Sequence, residues 1–389
     1  MSYSFCEEAD HITMLRDSVR KFVQKELPGV KVRQWEAARA LPRDVFAKLA
    51  GLGVCGLTVD EEFGGAGRDI VAAVMVLEEL SRIGTILAGP YIHCAFYGGI
   101  NISEKGSDAQ KRDLLPRLAR GEILFAYGLS EPSTGADLAS VTTRAELVDD
   151  GKTVRINGAK RWCTAADISD YIYCLVRSDA DAPRYQNLSL LLIPTDTPGI
   201  TIEKIAHQGI GYAETADVTF ENVEIPAENI IGGPDAWNKG WPMLAGPALD
   251  VEKLEIAAMA YGLAASCVDT AWRYAQEREQ FGKPIARHQA VAHALSDAQT
   301  KLMASRQMLY YAAWLADQRK PCSTETSMAK LFVTEAALEI AIECQKILGA
   351  YGFADEYDMG RMVQDLLLMP VIGGSSNIQR NNIAKRMGL

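Results

Sequence analysis

The residue in this sequence best placed to do chemistry is a lone acid at the start of a long apolar helix. In Leu249-Asp250-Val251-Glu252-Lys253, Glu252 precedes a run in which Leu254, Ala258, Tyr261, Ala265, Val268, Trp272 and Ala275 recur at helical spacing, with Ile256, Met259 and Leu263 on the adjoining face. Glu252 lies off the main stripe, where a carboxylate can act as a base towards a carbon acid. First-turn acids also gain about 0.3–1 kcal/mol from the helix dipole whatever they do, so position alone does not assign a role. Asp250 is the expected N-cap, and Phe281-Gly282-Lys283-Pro284 should stop the helix. Roughly thirty residues span about 45 Å, so this rod joins two distant places. Glu252 is at one end and the polar loop Arg278-Glu279-Gln280-Phe281-Gly282-Lys283 is at the other.

The elements that must hold such a rod come next. A chain of 389 residues calls for two or three domains. Its hydrophobic share of 48% and charged share of 23% fit a globular protein rather than a disordered one. The formal charge of −10, without a basic run, argues against nucleic-acid binding. The 8 cysteines form no CxxC pair and no Cys/His metal spacing, so reduced buried thiols and no metal are expected. No stretch reaches about 18 apolar residues and no leader precedes the first amphipathic helix, which makes a cytoplasmic location the expectation.

Three regions follow from the patterning. Residues 1–121 read as helical, with apolar positions at three- and four-residue steps from His11 to Val23, then over Asp44–Leu52 and Ile70–Ile83. The glycine-rich Glu62–Gly67 lacks the strand-turn-helix setting of a dinucleotide fingerprint and reads as an interhelical loop. Residues 122–232 carry short β-rich runs at Val141–Leu147, Thr153–Ile156, Tyr171–Val176, Leu188–Ile193 and Val218–Phe220, from which a small antiparallel sheet or barrel is expected. Residues 233–389 return to helices, including Ala290–Asp317 and Ser327–Leu348, with Phe332 among the positions expected to be buried. The fold class is α+β, with a helical domain, a β domain and a C-terminal four-helix bundle.

That order resembles the acyl-CoA dehydrogenase family over nearly the whole chain. The resemblance rests on Tyr127-Gly128-Leu129-Ser130-Glu131-Pro132 through Asp137, Asn157-Gly158-Ala159-Lys160-Arg161-Trp162-Cys163-Thr164, Arg278-Glu279-Gln280-Phe281-Gly282-Lys283-Pro284-Ile285, Ile347–Gly352 and Asn377-Ile378-Gln379-Arg380. It implies an FAD held between the middle sheet and the C-terminal helices, a homotetramer whose neighbouring subunit completes the cofactor site, an acyl-CoA substrate and an electron-transferring flavoprotein as acceptor.

Residue by residue, the resemblance puts Leu129, Ser130, Trp162, Cys163 and Thr164 at the flavin ring. It puts Arg278, Phe281, Gln289, Lys346, Gly349, Ala350, Ser375 and Asn377 at the distal half of FAD, mostly that of an adjacent subunit. Lys346 stands where many relatives carry glutamine and can equally be a solvated helix lysine. Ala136 replaces a common serine near the acyl or flavin site, and Lys253 can meet a CoA phosphate or offset Glu252 and Glu255. Tyr91, His93, Phe96 and Tyr97 match the lining of the acyl cavity, although each is as well explained as core.

Many relatives place the catalytic glutamate in the C-terminal loop, where this chain has Gly373. Other branches place it on the first turn of the long helix, at the position of Glu252. Gly373 keeps a backbone N–H for the thioester oxygen. The expected reaction is therefore α,β-dehydrogenation with Glu252 as base. Alternatives are an enoyl-CoA reductase like the crotonobetainyl-CoA reductases, an oxygen-reacting flavoenzyme, or a non-catalytic half-site subunit of a hetero-oligomer.

Overall fold

The structure, a computed structural model, describes residues 8–245 and 247–389. Helix Ile70–Ser81 is apolar over its first two turns, carries Glu78 and Glu79 near its end, and is buried at every position but Val71, as a helix enclosed by others must be. Asp69 caps it, accepting from the Ala72 N–H at 2.8 Å. It runs against the long helix Pro247–Glu277, and the approach is close because the crossing residue is Gly262, where a Cβ would meet the Glu78 carbonyl oxygen at 2.4 Å. The expected extent of the long helix is met, but it begins before Asp250, so that residue sits in the first turn and is not the cap. Its Trp272, and Phe332 of Ser323–Leu348, are surface residues and not core.

Helices Gln289–Asp317 and Ser323–Leu348 pack alongside the long helix, and the shorter Met359–Leu368 and Ser376–Arg386 close the bundle. Arg16 links the first helix to this assembly through Glu78, and the Tyr310 hydroxyl donates to the same carboxylate.

One element has no counterpart in the sequence reading. From residue 88 to residue 105 the chain is a single helix whose centre, Ile92–Ile100, has π-helical geometry. A π-helical stretch widens the turn and re-aims the side chains it carries, and such stretches are frequent at functional sites. Here it carries Phe96, Tyr97 and Ile100 against the first turns of the long helix.

The middle of the chain is a seven-stranded sheet: β1 Phe125–Gly128, β2 Arg144–Val148, β3 Thr153–Thr164, β4 Tyr171–Arg177, β5 Leu188–Pro194, β6 Ile200–Ile205 and β7 Thr215–Pro226. Its order is β1-β4-β2-β3-β7-β6, with β5 also on β4. Most pairs are antiparallel, but β1 lies parallel to β4 from Phe125 opposite Tyr171 to Gly128 opposite Cys174, so the sheet is mixed. A four-residue strand without alternation gave no sequence signal for β1.

One buried ion pair ties the first region to the bundle, and a second braces the middle region internally. Glu36 accepts from the Thr85 and Ile86 N–H groups at 2.7 and 2.9 Å and pairs with Arg361 of the bundle. Glu131, just after β1, pairs with Lys160 of β3 at 2.9 Å and accepts from the Thr142 and Thr143 N–H groups at 2.7 and 2.8 Å. The seven described cysteines are free and buried, as the spacing implied. Among the described residues no helix is long and apolar enough to cross a membrane, and no cluster of potential metal ligands occurs.

Candidate active site

The first turns of the long helix face the π-helical segment across a narrow, closely packed cavity. Phe96, Tyr97, Ile100, Asn101, Tyr127, Val251, Glu252 and Glu255 line it. Glu252 is partly buried, and its Oε2 is sealed from solvent without a hydrogen-bond partner. Burial pushes its pKa up to about 7, against the pull of the Lys253 and Lys330 ammonium groups. A carboxylate so placed is a competent base near neutral pH. Lys330 is itself buried, donates to the Met369 carbonyl at 3.0 Å, and has its pKa lowered to about 8 by desolvation.

Gly373 lies against the same helix. A Cβ there would meet Ile256 Cγ1 at 2.9 Å, and its φ of +60° disfavours any side chain. The loop carbonyls of Gly373 and Gly374 accept from Gln379 Nε2 at 3.2 and 2.8 Å, which fixes the turn. The loop therefore brings its backbone beside the helix that carries the acid, one turn on from Glu252.

Of the other acyl-side expectations, Phe96 lines the cavity and Tyr91 does not. Tyr91 is wholly buried, with its hydroxyl 3.4 Å from the Val54 carbonyl, so it is core. His93 is core as well: its ring nitrogens contact the Phe125 carbonyl and the Tyr212 hydroxyl, both at 2.7 Å, and burial lowers its pKa to about 4. Lys253 is buried and paired with Asp250 at 2.8 Å. Ala136 is exposed in the loop after β1.

The wall formed by the ends of β1 and β3 fits a planar ring. The Arg161 N–H donates to the Ser130 carbonyl at 2.9 Å, which sets Leu129 and Ser130 beside Trp162, Cys163 and Thr164. An irregularity in the β3–β7 register and a φ of +65° turn Trp162 outwards, 55% exposed, with Arg161 over its ring. Cys163 is buried and its thiol pKa is raised by desolvation, so only its backbone faces a ligand. Thr164 and Thr215 share a hydrogen bond of 3.1 Å between their hydroxyls. An exposed indole held by a left-handed residue is the kind of surface a flat cofactor covers.

The remaining candidates stand elsewhere. At 1.5 Å per residue the long helix carries Arg278 about 39 Å from Glu252, so the two ends serve separate places. Arg278 lies over Tyr351, Phe281 is 95% exposed, and Gln289, Gly349, Ala350 and Asn377 are also on the surface. Lys346 pairs with Glu343 at 2.6 Å in solvent, and Ser375 caps the last helix.

Three domain models of one family match in succession: the acyl-CoA dehydrogenase N-terminal domain over residues 9–122, the middle domain over 126–223 and the C-terminal domain over 238–388. The chain belongs to the acyl-CoA dehydrogenase family. It is thereby an oxidoreductase of CH–CH bonds within a flavoprotein family. Among its relatives, a probable acyl-CoA dehydrogenase, YngJ, of Bacillus subtilis (strain 168) is 33% identical over 375 residues, covering 96% of this chain and 97% of the relative. The caffeyl-CoA reductase-Etf complex subunit CarC of Acetobacterium woodii is 31% identical over 368 residues, covering 94% and 95%. A glutaryl-coenzyme A dehydrogenase solved with glutaryl-CoA superposes with a TM-score of 0.92 at 30% identity, over 100% of this chain and 97% of that one.

Sequence reasoning passed over Glu255, Lys330 and Asn101. Glu255 carried a usable signal, being an acid inside the otherwise apolar run Leu254–Leu263.

Proposed function

We propose that the protein is an FAD-dependent acyl-CoA dehydrogenase in which Glu252 takes the α-proton of an acyl-CoA thioester, giving a 2,3-enoyl-CoA. The observation that carries this reading is the desolvated Glu252 carboxylate, with pKa pushed up to about 7, in a cavity beside the Gly373 loop. Leu129, Ser130, Trp162, Cys163 and Thr164 would hold the flavin ring, and Arg278, Phe281, Gln289, Gly349, Ala350, Ser375 and Asn377 the distal half, the latter from an adjacent subunit. When bound, FAD supplies the acceptor for the β-hydride.

The chain's own part is positioning and proton transfer. Glu252 Oε2, lacking any partner in the protein, is free to receive the proton. The Gly373 N–H steadies the thioester oxygen as negative charge grows on it, and Lys330 tempers the basicity of Glu252. A homotetramer, an electron-transferring flavoprotein as acceptor and a cytoplasmic location complete the proposal. The named Etf complex of the Acetobacterium relative supports the acceptor, and the distance between Arg278 and Glu252 supports subunit sharing.

The test is Glu252→Gln. Flavin-replete variant protein is expected to lose anaerobic bleaching by an acyl-CoA that bleaches the parent, and an undiminished rate overturns the assignment. One observation favours the reverse direction as a second reading. An acid half-protonated near pH 7 can equally return a proton, and the caffeyl-CoA reductase subunit shares the fold over nearly its whole length. Faster oxidation of chemically reduced protein by an enoyl-CoA than by any other acceptor would favour that direction.

A further inference from the structure

We infer that Glu255 recognises a basic nitrogen on the acyl group, so that the substrate class is an acyl thioester bearing an ammonium. This rests on the dehydrogenase reading above and concerns the same cavity. Glu255 is fully buried, both of its carboxylate oxygens lack a hydrogen-bond partner, and it lines the cavity one turn beyond Glu252. Among the described residues none is paired with it as a counter-charge. Lys253 is held by Asp250 at 2.8 Å and Lys330 by the Met369 carbonyl at 3.0 Å, while the cavity lining contains no Arg, Lys or His. Asn101 cannot serve either, because its amide donates to the Tyr97 carbonyl at 2.9 Å and the Tyr127 hydroxyl at 2.6 Å. Desolvation and the neighbouring Glu252 both drive the pKa of Glu255 upward, and Tyr97 offsets this only in part.

Three acyl classes can be weighed against that lining. A hydrocarbon acyl group would bury Glu255 against CH₂ groups and leave its polar atoms unsatisfied. A free carboxylate, as in the glutaryl-CoA of the solved relative, would meet two acids and no cation. An ammonium would pair with Glu255 and lie among Phe96, Tyr97 and Tyr127, and a carboxylate with aromatic faces is the environment that binds cations. Tyr97 and Tyr127 already stack at 3.7 Å between centroids, a rigid wall for it. Side chains three residues apart on a helix stand about 5–6 Å apart at Cβ. If Glu252 faces the α-carbon, the nitrogen falls near the γ position.

The experiment compares 4-(dimethylamino)butyryl-CoA, its neutral isostere 5-methylhexanoyl-CoA, and glutaryl-CoA on the flavin-replete protein, reading anaerobic bleaching and, separately, calorimetric binding. The ammonium thioester is expected to exceed the isostere by about tenfold or more in kcat/KM and in affinity, the scale of one unit of differential charge pairing. In Glu255→Gln that ratio is expected to fall towards one. Equal or better use of 5-methylhexanoyl-CoA or glutaryl-CoA by the parent protein overturns the assignment and leaves the dehydrogenase reading in place. Failure of all three thioesters to bleach the flavin overturns both.

Discussion

Two buried glutamates, Glu131 and Glu255, behave in opposite ways. Glu131 has Lys160, two backbone N–H groups and the Thr142 hydroxyl around it, and Lys160 with these donors holds its pKa at about 2 against desolvation. Neither oxygen of Glu255, nor Oε2 of Glu252, has a partner at normal hydrogen-bond distance; burial raises the pKa of Glu255, and the nearby Tyr97 hydroxyl offsets this only in part. The first arrangement finishes its electrostatics inside the chain. The second leaves them open on the side of a cavity, where only something brought in from outside can complete them. Burial of charge alone therefore does not mark function here; burial without a partner does.

The largest effect that would sharpen this contrast is on rate. Glu252→Gln keeps the shape and removes the base, and dehydrogenation should fall by about 10³-fold, near the middle of the range for a lost general base, as read by stopped-flow bleaching. Glu131→Gln should leave Lys160 buried and unpaired, costing about 3–5 kcal/mol in denaturant unfolding. Parental stability in that variant would show the pair to be dispensable. Gly373→Ala combines left-handed strain with the Ile256 contact, and a loss of about 1–2 kcal/mol is expected from the same measurement.

A smaller effect lies in pH dependence, where the two kinds of site should differ in sign. For Glu131 the folded pKa lies below the ordinary value of 4.5, so its contribution is present above that value and is lost as pH falls through about 2. For Glu252 the folded pKa is raised, so the native state binds the extra proton. Its contribution is full below 4.5 and declines as pH rises through about 7. Glu255→Gln should accordingly raise the melting temperature at pH 8, by about 2 °C or more, and leave it nearly unchanged at pH 4. The rate should rise with pH through about 7, as Glu252 ionises among Lys253, Lys330, Glu255, Tyr97, Tyr127 and Tyr173. Lys330→Met should move that limb upward by removing a nearby cation, as a kcat/KM profile would show.

Much of the scaffold was legible in the residue pattern. The long helix announced itself through its apolar stripe, and the change from helical to β-rich composition near residue 122 placed the sheet in the middle of the chain. What escaped was set by tertiary contact. The parallel β1–β4 pairing joins short segments whose local composition says nothing about partner or direction. The π-helical geometry of Ile92–Ile100 carries no periodic mark distinguishable from an ordinary buried helix. Tyr91, just before that segment, and Phe96, within it, looked alike, yet one stays in the core and the other lines the cavity. Lys253 read as meeting a CoA phosphate or offsetting Glu252 and Glu255, whereas its ion-pair partner is Asp250, three residues before it.

The Gly373–Ile256 contact bears on how such a protein could change over time. Transferring the proton acceptor from helix to loop is not a one-letter step, because the incoming side chain needs Ile256 trimmed and the turn re-formed. Intermediates along that route would carry either two acids aimed at one carbon or none. The two placements are thus separated by a valley, and a lineage that has settled on one of them has reason to stay.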